Sequence, residues 1–240
     1  MTASDHRSLT AAPLLGVLTM APLVGYLLPG LAGVWPALRG PLGVEDRTPT
    51  RAGFALTFDD GPHAQGTPAM LELLAAAGVH ATFFLVGEQV RRNPGLAREL
   101  VAAGHQIGLH CDRHRNLLRL TPAQVRADID RAEAAIIDST DCAPVLYRPP
   151  YGVLNAAALR LARSRGWRTL LWTHWGRDWE ARATAQSIAA RVTDGVGEGS
   201  VLLLHDADDY SARDSWRRTA AALPRVLETL AERGLSDVRL

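Results

Sequence analysis

Cysteine is scarce: the chain of 240 residues carries two, Cys111 and Cys142. Two thiols build neither a disulfide framework nor a four-thiolate zinc site, and both are expected to be free. An excess of one charge is missing too. The 26 Lys+Arg face 25 Asp+Glu, for a formal net charge of +1. With no basic block to follow a phosphate backbone, nucleic acid is excluded as a partner. No internal repeat or low-complexity segment occurs, and apolar residues, 47% of the total, run throughout, which excludes intrinsic disorder. What remains is one globular domain with an apolar extra, either an enzyme or a binding module.

Charge disappears altogether between Ser8 and Leu38, a run longer than the ~20 residues that span a bilayer. Pro13, Pro22, Pro29 and Pro36 interrupt it, so it reads poorly as a helix of a soluble core and better as a membrane anchor or export signal. No A-x-A cleavage site follows, which favours an uncleaved anchor. Arg7 precedes the run and Arg39, Arg47 and Arg51 follow it, so orientation stays open. We therefore divide the chain into a hydrophobic segment (1–39), a Gly/Pro-rich linker (40–52) and a catalytic or binding domain (53–240). The domain is expected to be membrane-anchored or secreted, extracytoplasmic and monomeric.

Beyond residue 52, short apolar runs alternate with helical patterns. Strands are expected at Phe54–Phe58, Ala81–Val86, Gln106–Leu109, Val145–Tyr147, Thr169–Trp172 and Val201–Leu204. Thr67-Pro68, Asn93-Pro94 and Thr121-Pro122 each pair an N-cap residue with proline at the first helical position. Gly78, Gly104, Gly166 and Gly234 mark helix ends. Val125, Ile129, Ala132 and Ile136 recur at helical spacing as one apolar stripe. Strands separated by helices imply βαβ units and a parallel sheet, closed as a barrel or doubly wound.

In such folds the active site lies at the C-terminal ends of the strands. The polar residues just after the apolar runs are Asp59-Asp60, His110, Arg148, Asp178 and His205. All would converge on one face. Each also has a plainer reading. Asp59-Asp60-Gly61-Pro62 makes an ordinary surface turn, and His110 and His114 can be two solvated histidines. His205 can be a satisfied histidine at the sheet rim. Read functionally, His110 and His114 lie four apart and share a face on a helical turn. With Asp60 they make a two-histidine, one-carboxylate set with open coordination positions. Arg148, permanently charged on a proline-stiffened loop, suits orientation of a carboxylate. A histidine such as His205 can act as a general acid near neutrality. Trp172 is expected in the core, while Trp179 could be core or a sugar-stacking wall.

In order, TFDDGP (57–62), HCDRH (110–114), RPPY (148–151), DW (178–179) and LLH (203–205) resemble the five motifs of the polysaccharide deacetylase (NodB-homology, carbohydrate esterase) family, over roughly residues 53–234. The resemblance implies a distorted (β/α) barrel. It also implies one divalent metal ion, zinc first, with cobalt, nickel or manganese as alternatives, on Asp60, His110 and His114. By the same resemblance Asp59 is the general base, Arg148 holds it ionised, His205 is the general acid and Asp178 orients His205. The backbone N–H of Tyr151 would serve the oxyanion, and Trp179 and Leu203 would form the pocket for the acetyl methyl. Cys111, Leu109 and Trp175 stand where the family usually has Ser or Thr, Asn, and Asp, so the hydrogen bonding of the metal loop is expected to differ.

The implied activity is removal of N-acetyl groups from amino sugars of a cell-wall or extracellular glycan. Three alternatives stay open: O-deacetylation of an acetylated polysaccharide, hydrolysis of a small-molecule amide, and silent glycan binding through Trp175 and Trp179.

Overall fold

The computed structural model describes residues 23–240. Part of the uncharged run, residues 8–22, therefore lies outside the described residues. Among those described, no helix is long and apolar enough to cross a membrane.

Eight strands form one sheet: β1 (Val44–Glu45), β2 (Phe54–Asp59), β3 (Thr82–Val86), β4 (Gln106–Cys111), β5 (Leu146–Tyr147), β6 (Arg168–Leu170), β7 (His174–Trp175) and β8 (Ser200–His205). Their order is β1-β6-β5-β4-β3-β2-β8-β7, and every strand pair is parallel. The helices are α1 (Gly66–Ala77), α2 (Gly87–Arg92), α3 (Pro94–Ala102), α4 (Pro122–Thr140), α5 (Ala156–Ser164), α6 (Ala185–Thr193) and α7 (Ser215–Glu232). The sheet is thus a curled, incomplete barrel of the expected (β/α) type. Its central strands β2, β3 and β8 are almost wholly apolar because both faces are covered.

Two elements escape the sequence pattern. β1 arises within the stretch read as linker and pairs with β6 through Val44 and Glu45. β7 is a two-residue edge strand on β8. Other boundaries move by one or two residues. The largest consequence is at β4, which runs past Leu109 and carries His110 as a strand residue.

Helix α4 follows its sequence signals closely. Thr121 and Gln124 close a capping box, Pro122 occupies the first turn, and Val125, Ile129, Ala132 and Ile136 are buried. Thr67 behaves differently from expectation. Helix α1 starts at Gly66, and the Thr67 hydroxyl accepts from the His63 N–H (2.7 Å) and donates to Asp206 Oδ2 (2.5 Å). That bond ties the start of α1 to the end of β8.

Residues before β1 also pack on the domain. Tyr26 Oη donates to the Leu120 carbonyl (2.6 Å) and accepts from Asn155 Nδ2 (2.8 Å), and Pro29 and Ala32 are buried. Gly33 sits so close to the Gly152 carbonyl that an added Cβ would come within 2.7 Å of it. Arg39 folds inward onto Asp46 (2.6 Å) and the Ala32 carbonyl (3.0 Å).

Candidate active site

A cavity of about 350 Å³ opens at the C-terminal ends of the strands, within the range usual for small-ligand sites. Asp59, Asp60, His110, His114, Tyr151, Trp179, Leu203 and His205 line it, and Arg148 and Asp178 stand directly behind Asp59 and His205.

The two adjacent acids part where the chain leaves β2. Asp59 is the last strand residue, whereas Asp60 takes a left-handed conformation with φ 82°, a strained choice for a residue with a Cβ. That twist brings both carboxylates into one site. Asp60 Oδ1 lies 3.5 Å from His110 Nε2 and 3.4 Å from His114 Nε2. It is buried and has no hydrogen-bond partner among the described residues. Burial alone would raise its pKa, but the surrounding imidazoles, His110 first, hold the carboxyl well below the usual range. Burial pushes His114 down to about 4, leaving a neutral ring with a free lone pair.

One oxygen and two imidazole nitrogens, all within 4.8 Å of one another, face a common point. A tetrahedral ion with bonds of ~2.1 Å has ligand–ligand edges of roughly 3.4 Å. The residues present therefore fit a divalent cation, and Asp60 Oδ1 lacks any other partner.

Each imidazole is oriented differently. His110 Nδ1 contacts the Arg148 carbonyl at 2.8 Å, the usual outer support of a ligating histidine. His114 reaches the site from the turn after β4, not from a helix, so the spacing of four arises at a strand end. Its Nδ1 is buried without a partner. Instead the ring lies between Tyr151 (centroids 4.4 Å apart) and Tyr210 (4.7 Å, stacked). The loop between the histidines is steadied by Asp128 of α4, which accepts from the Asp112 N–H (2.8 Å) and from Arg115 (2.5 Å). Cys111 is a buried free thiol, its pKa raised by burial, and Cys142 is free and exposed.

Arg148 is wholly buried. Its Nη1 donates to Asp59 Oδ1 and Thr57 Oγ1, both at 2.7 Å, and its other nitrogens donate to the Leu170 and Leu171 carbonyls. Burial lowers its pKa and Asp59 raises it, yet a guanidinium keeps its charge in any such setting. Opposite, Asp178 is fully buried and accepts from the His205 backbone N–H (2.7 Å) and Thr219 Oγ1 (2.8 Å) through Oδ2. Its Oδ1 meets His205 Nδ1 at 3.0 Å, which turns Nε2 away from Asp178. Burial disfavours charge on His205, but Asp178, with smaller contributions from Asp60 and Asp59, holds its pKa up to about 10.

Tyr151 also has φ 60° and lines the cavity, as do Trp179 and Leu203. Trp172, expected in the core, is half-buried and lines the cavity with the exposed Trp175. His63, Asp208 and Asp209 form a second cluster, with His63 Nε2 3.4 Å from Asp208 Oδ1 while its Nδ1 accepts from the Gly66 N–H (2.9 Å).

The chain is similar to known proteins in sequence and fold. A family model described as Polysaccharide deacetylase matches residues 46–170. The peptidoglycan-N-acetylglucosamine deacetylase PgdA of Listeria monocytogenes is 34% identical over 80% of this chain, which spans 38% of that relative's length. The chitooligosaccharide deacetylase of a Bradyrhizobium strain is 35% identical over 79% of this chain and 89% of its own. The solved structure of a family 4 carbohydrate esterase from Streptomyces lividans, in complex with acetate, superposes with a TM-score of 0.70 at 34% identity, covering 78% of this chain and 92% of that one. A matching family model, a relative matched over 89% of its length at 35% identity, and a shared fold lead to one conclusion: the chain belongs to the polysaccharide deacetylase family.

Proposed function

We propose that the protein is a metal-dependent hydrolase that removes N-acetyl groups from amino sugars of a cell-wall or extracellular glycan. The observation that carries this reading is the juxtaposition, in one cavity, of a carboxylate held beside a buried arginine and an imidazole held protonated by a buried carboxylate. Amide hydrolysis needs a base and an acid at the same pH, and paired groups in unlike environments supply both. The relatives named for peptidoglycan and for chitooligosaccharides support an N-acetylated glucosamine unit as the substrate.

Asp60, His110 and His114 would hold the cation, zinc first among the candidates. When bound, a divalent ion acidifies water and polarises a carbonyl. Asp59, bonded to Arg148 at 2.7 Å, takes the proton from the attacking water as its oxygen adds to the amide carbon. The backbone N–H of Tyr151 donates to the amide oxygen as negative charge develops there. His205 then delivers a proton from Nε2 to the sugar nitrogen as the C–N bond breaks, releasing acetate and a free amine. Trp179 and Leu203 receive the methyl group, and their apolar surfaces keep the pocket small. Membrane attachment through the N-terminal segment and an extracytoplasmic location fit the same reading, because the substrate class lies outside the cytoplasm.

The test is acetate release from N-acetylglucosamine oligomers by metal-stripped and zinc-reloaded protein. Zinc-dependent release is expected. Stoichiometric zinc binding without acetate would mean another substrate or a silent glycan binder, and absence of zinc binding would overturn the ligand assignment.

A further inference from the structure

We propose that the apolar rim formed by residues 23–35 docks on a lipid bilayer, so that the pocket opens at the membrane surface onto amino sugars carried there on lipids. This rests on the deacetylase reading of the same site and narrows its substrate class. Among the described residues, the segment before Arg39 presents Leu23, Val24, Leu28, Leu31, Val34 and Trp35 as exposed apolar side chains. Val34 is 82% exposed and Trp35 is 60% exposed. Side chains so placed on a soluble face usually mark a docking site.

Three observations choose the bilayer as the occupant. The patch is the C-terminal part of a run without charge that begins at Ser8, so the chain arrives at the rim from apolar sequence. The first cation after the run, Arg39, is 8% exposed and engaged with Asp46, so it puts no charge on this face. Tryptophan beside aliphatic residues suits the headgroup boundary, where one side of the indole is wet.

The patch is also fixed to the site. Gly33 lines the cavity and presses on Gly152 of the Tyr151 turn, and Val34 follows one Cα step of about 3.8 Å later. A surface that receives Val34 and Trp35 therefore lies at the mouth of the pocket. Residues 23–35 carry no charge of their own, so their docking rests on apolar contact.

The test uses the full chain in a Cys142→Ser background, with an environment-sensitive dye on Val34→Cys or on Val145→Cys. Cys111 is buried and stays unlabelled. Val145 is exposed but precedes β5, at the opposite end of the sheet, so tethering alone does not bring it to lipid. On vesicles of phosphatidylethanolamine and phosphatidylglycerol, a blue shift unchanged by added salt is expected at position 34 and none at position 145. No shift at 34 on vesicle-bound protein would overturn the proposal. A blue-shifted signal before vesicles are added would do the same, because another segment or a second copy would then cover the rim.

The activity arm compares an N-acetylglucosaminyl lipid in those vesicles with soluble N-acetylglucosamine oligomers. Val34→Ser/Trp35→Ser is expected to lose at least tenfold in kcat/KM on the lipid-borne sugar and to keep its rate on oligomers. Equal loss on both would make the patch a sugar-stacking wall and refute docking. If neither substrate yields acetate in the parent chain, the deacetylase reading fails, while the dye at position 34 still decides the docking.

Discussion

The imidazole of His114 lies almost flat against the phenol ring of Tyr210, with centroids 4.7 Å apart and planes 17° from parallel. Tyr210 is itself anchored, its hydroxyl donating to Glu88 (2.6 Å) and accepting from Gln89 (3.2 Å). A ligating histidine is usually aimed by a hydrogen bond to its second nitrogen. Here that nitrogen has no partner, and aromatic packing holds the ring instead.

Tyr210→Ala is therefore expected to weaken cation binding about 10- to 100-fold, the usual cost of losing an outer-shell support. Tyr210→Phe should retain most of the affinity, because stacking survives without the hydroxyl. Competition against a chromogenic chelator measures both. Equal affinity in Tyr210→Ala and the parent would show that the stack does not aim the ligand.

The adjacent acids should separate cleanly. Asp60→Ala is expected to remove the bound cation, whereas Asp59→Asn should keep it and lose turnover by about 10²-fold or more, as for a general base. Metal analysis beside acetate release tests the pair. A full metal complement in Asp60→Ala, or near-normal turnover in Asp59→Asn, would undo the respective role.

Asp178→Asn is expected to move the basic limb of the pH–rate profile to lower pH. Burial lowers the His205 pKa and the Asp178 carboxylate outweighs it, so neutralising Asp178 leaves burial to act with less opposition. His205 then loses its proton at a lower pH, and activity above neutrality falls first. A basic limb that stays in place would separate Asp178 from the acid.

His105 governs a different pH response. It is buried, its Nδ1 accepts from the Ala81 N–H at 3.1 Å, and burial, with the charges of His80 and Arg239, holds its pKa down to about 4. The unfolded chain binds this proton near pH ~6.5, so it takes up more protons than the folded state between those values. Stability from the neutral ring is complete above the upper value and is lost as pH falls through the window, by at most roughly 3 kcal/mol. Chemical denaturation of His105→Asn across this range should show a flatter pH dependence than the parent. An unchanged slope would assign the acid sensitivity to other groups.

The sequence reading succeeds where chemistry and topology coincide. The buried parallel strands are apolar runs, so the polar residue closing each run marks the site, as Asp59, His110 and His205 do. It falters where side chains carry no pattern. Val44–Glu45 and His174–Trp175 are strands only because neighbours offer them edges, and two residues are too few for a period. The four-residue spacing of His110 and His114 suggests a helical turn, yet a strand end followed by a turn gives the same convergence. Tyr210 and Thr219 act through contacts across the fold and belong to no local motif. The Ser8–Leu38 run is legible as apolar sequence, but not that Gly33 within it lines the cavity.

The separation of the two thiols has a consequence for redox chemistry. Cys111 is sealed in the core at the end of β4 and Cys142 is exposed after α4, so oxidation cannot cross-link the native chain internally. The fold holds by packing and hydrogen bonds, and neither an oxidising nor a reducing compartment adds or removes a disulfide within it. Dithiothreitol should leave its thermal midpoint where it was, and any disulfide that forms will join Cys142 to another molecule.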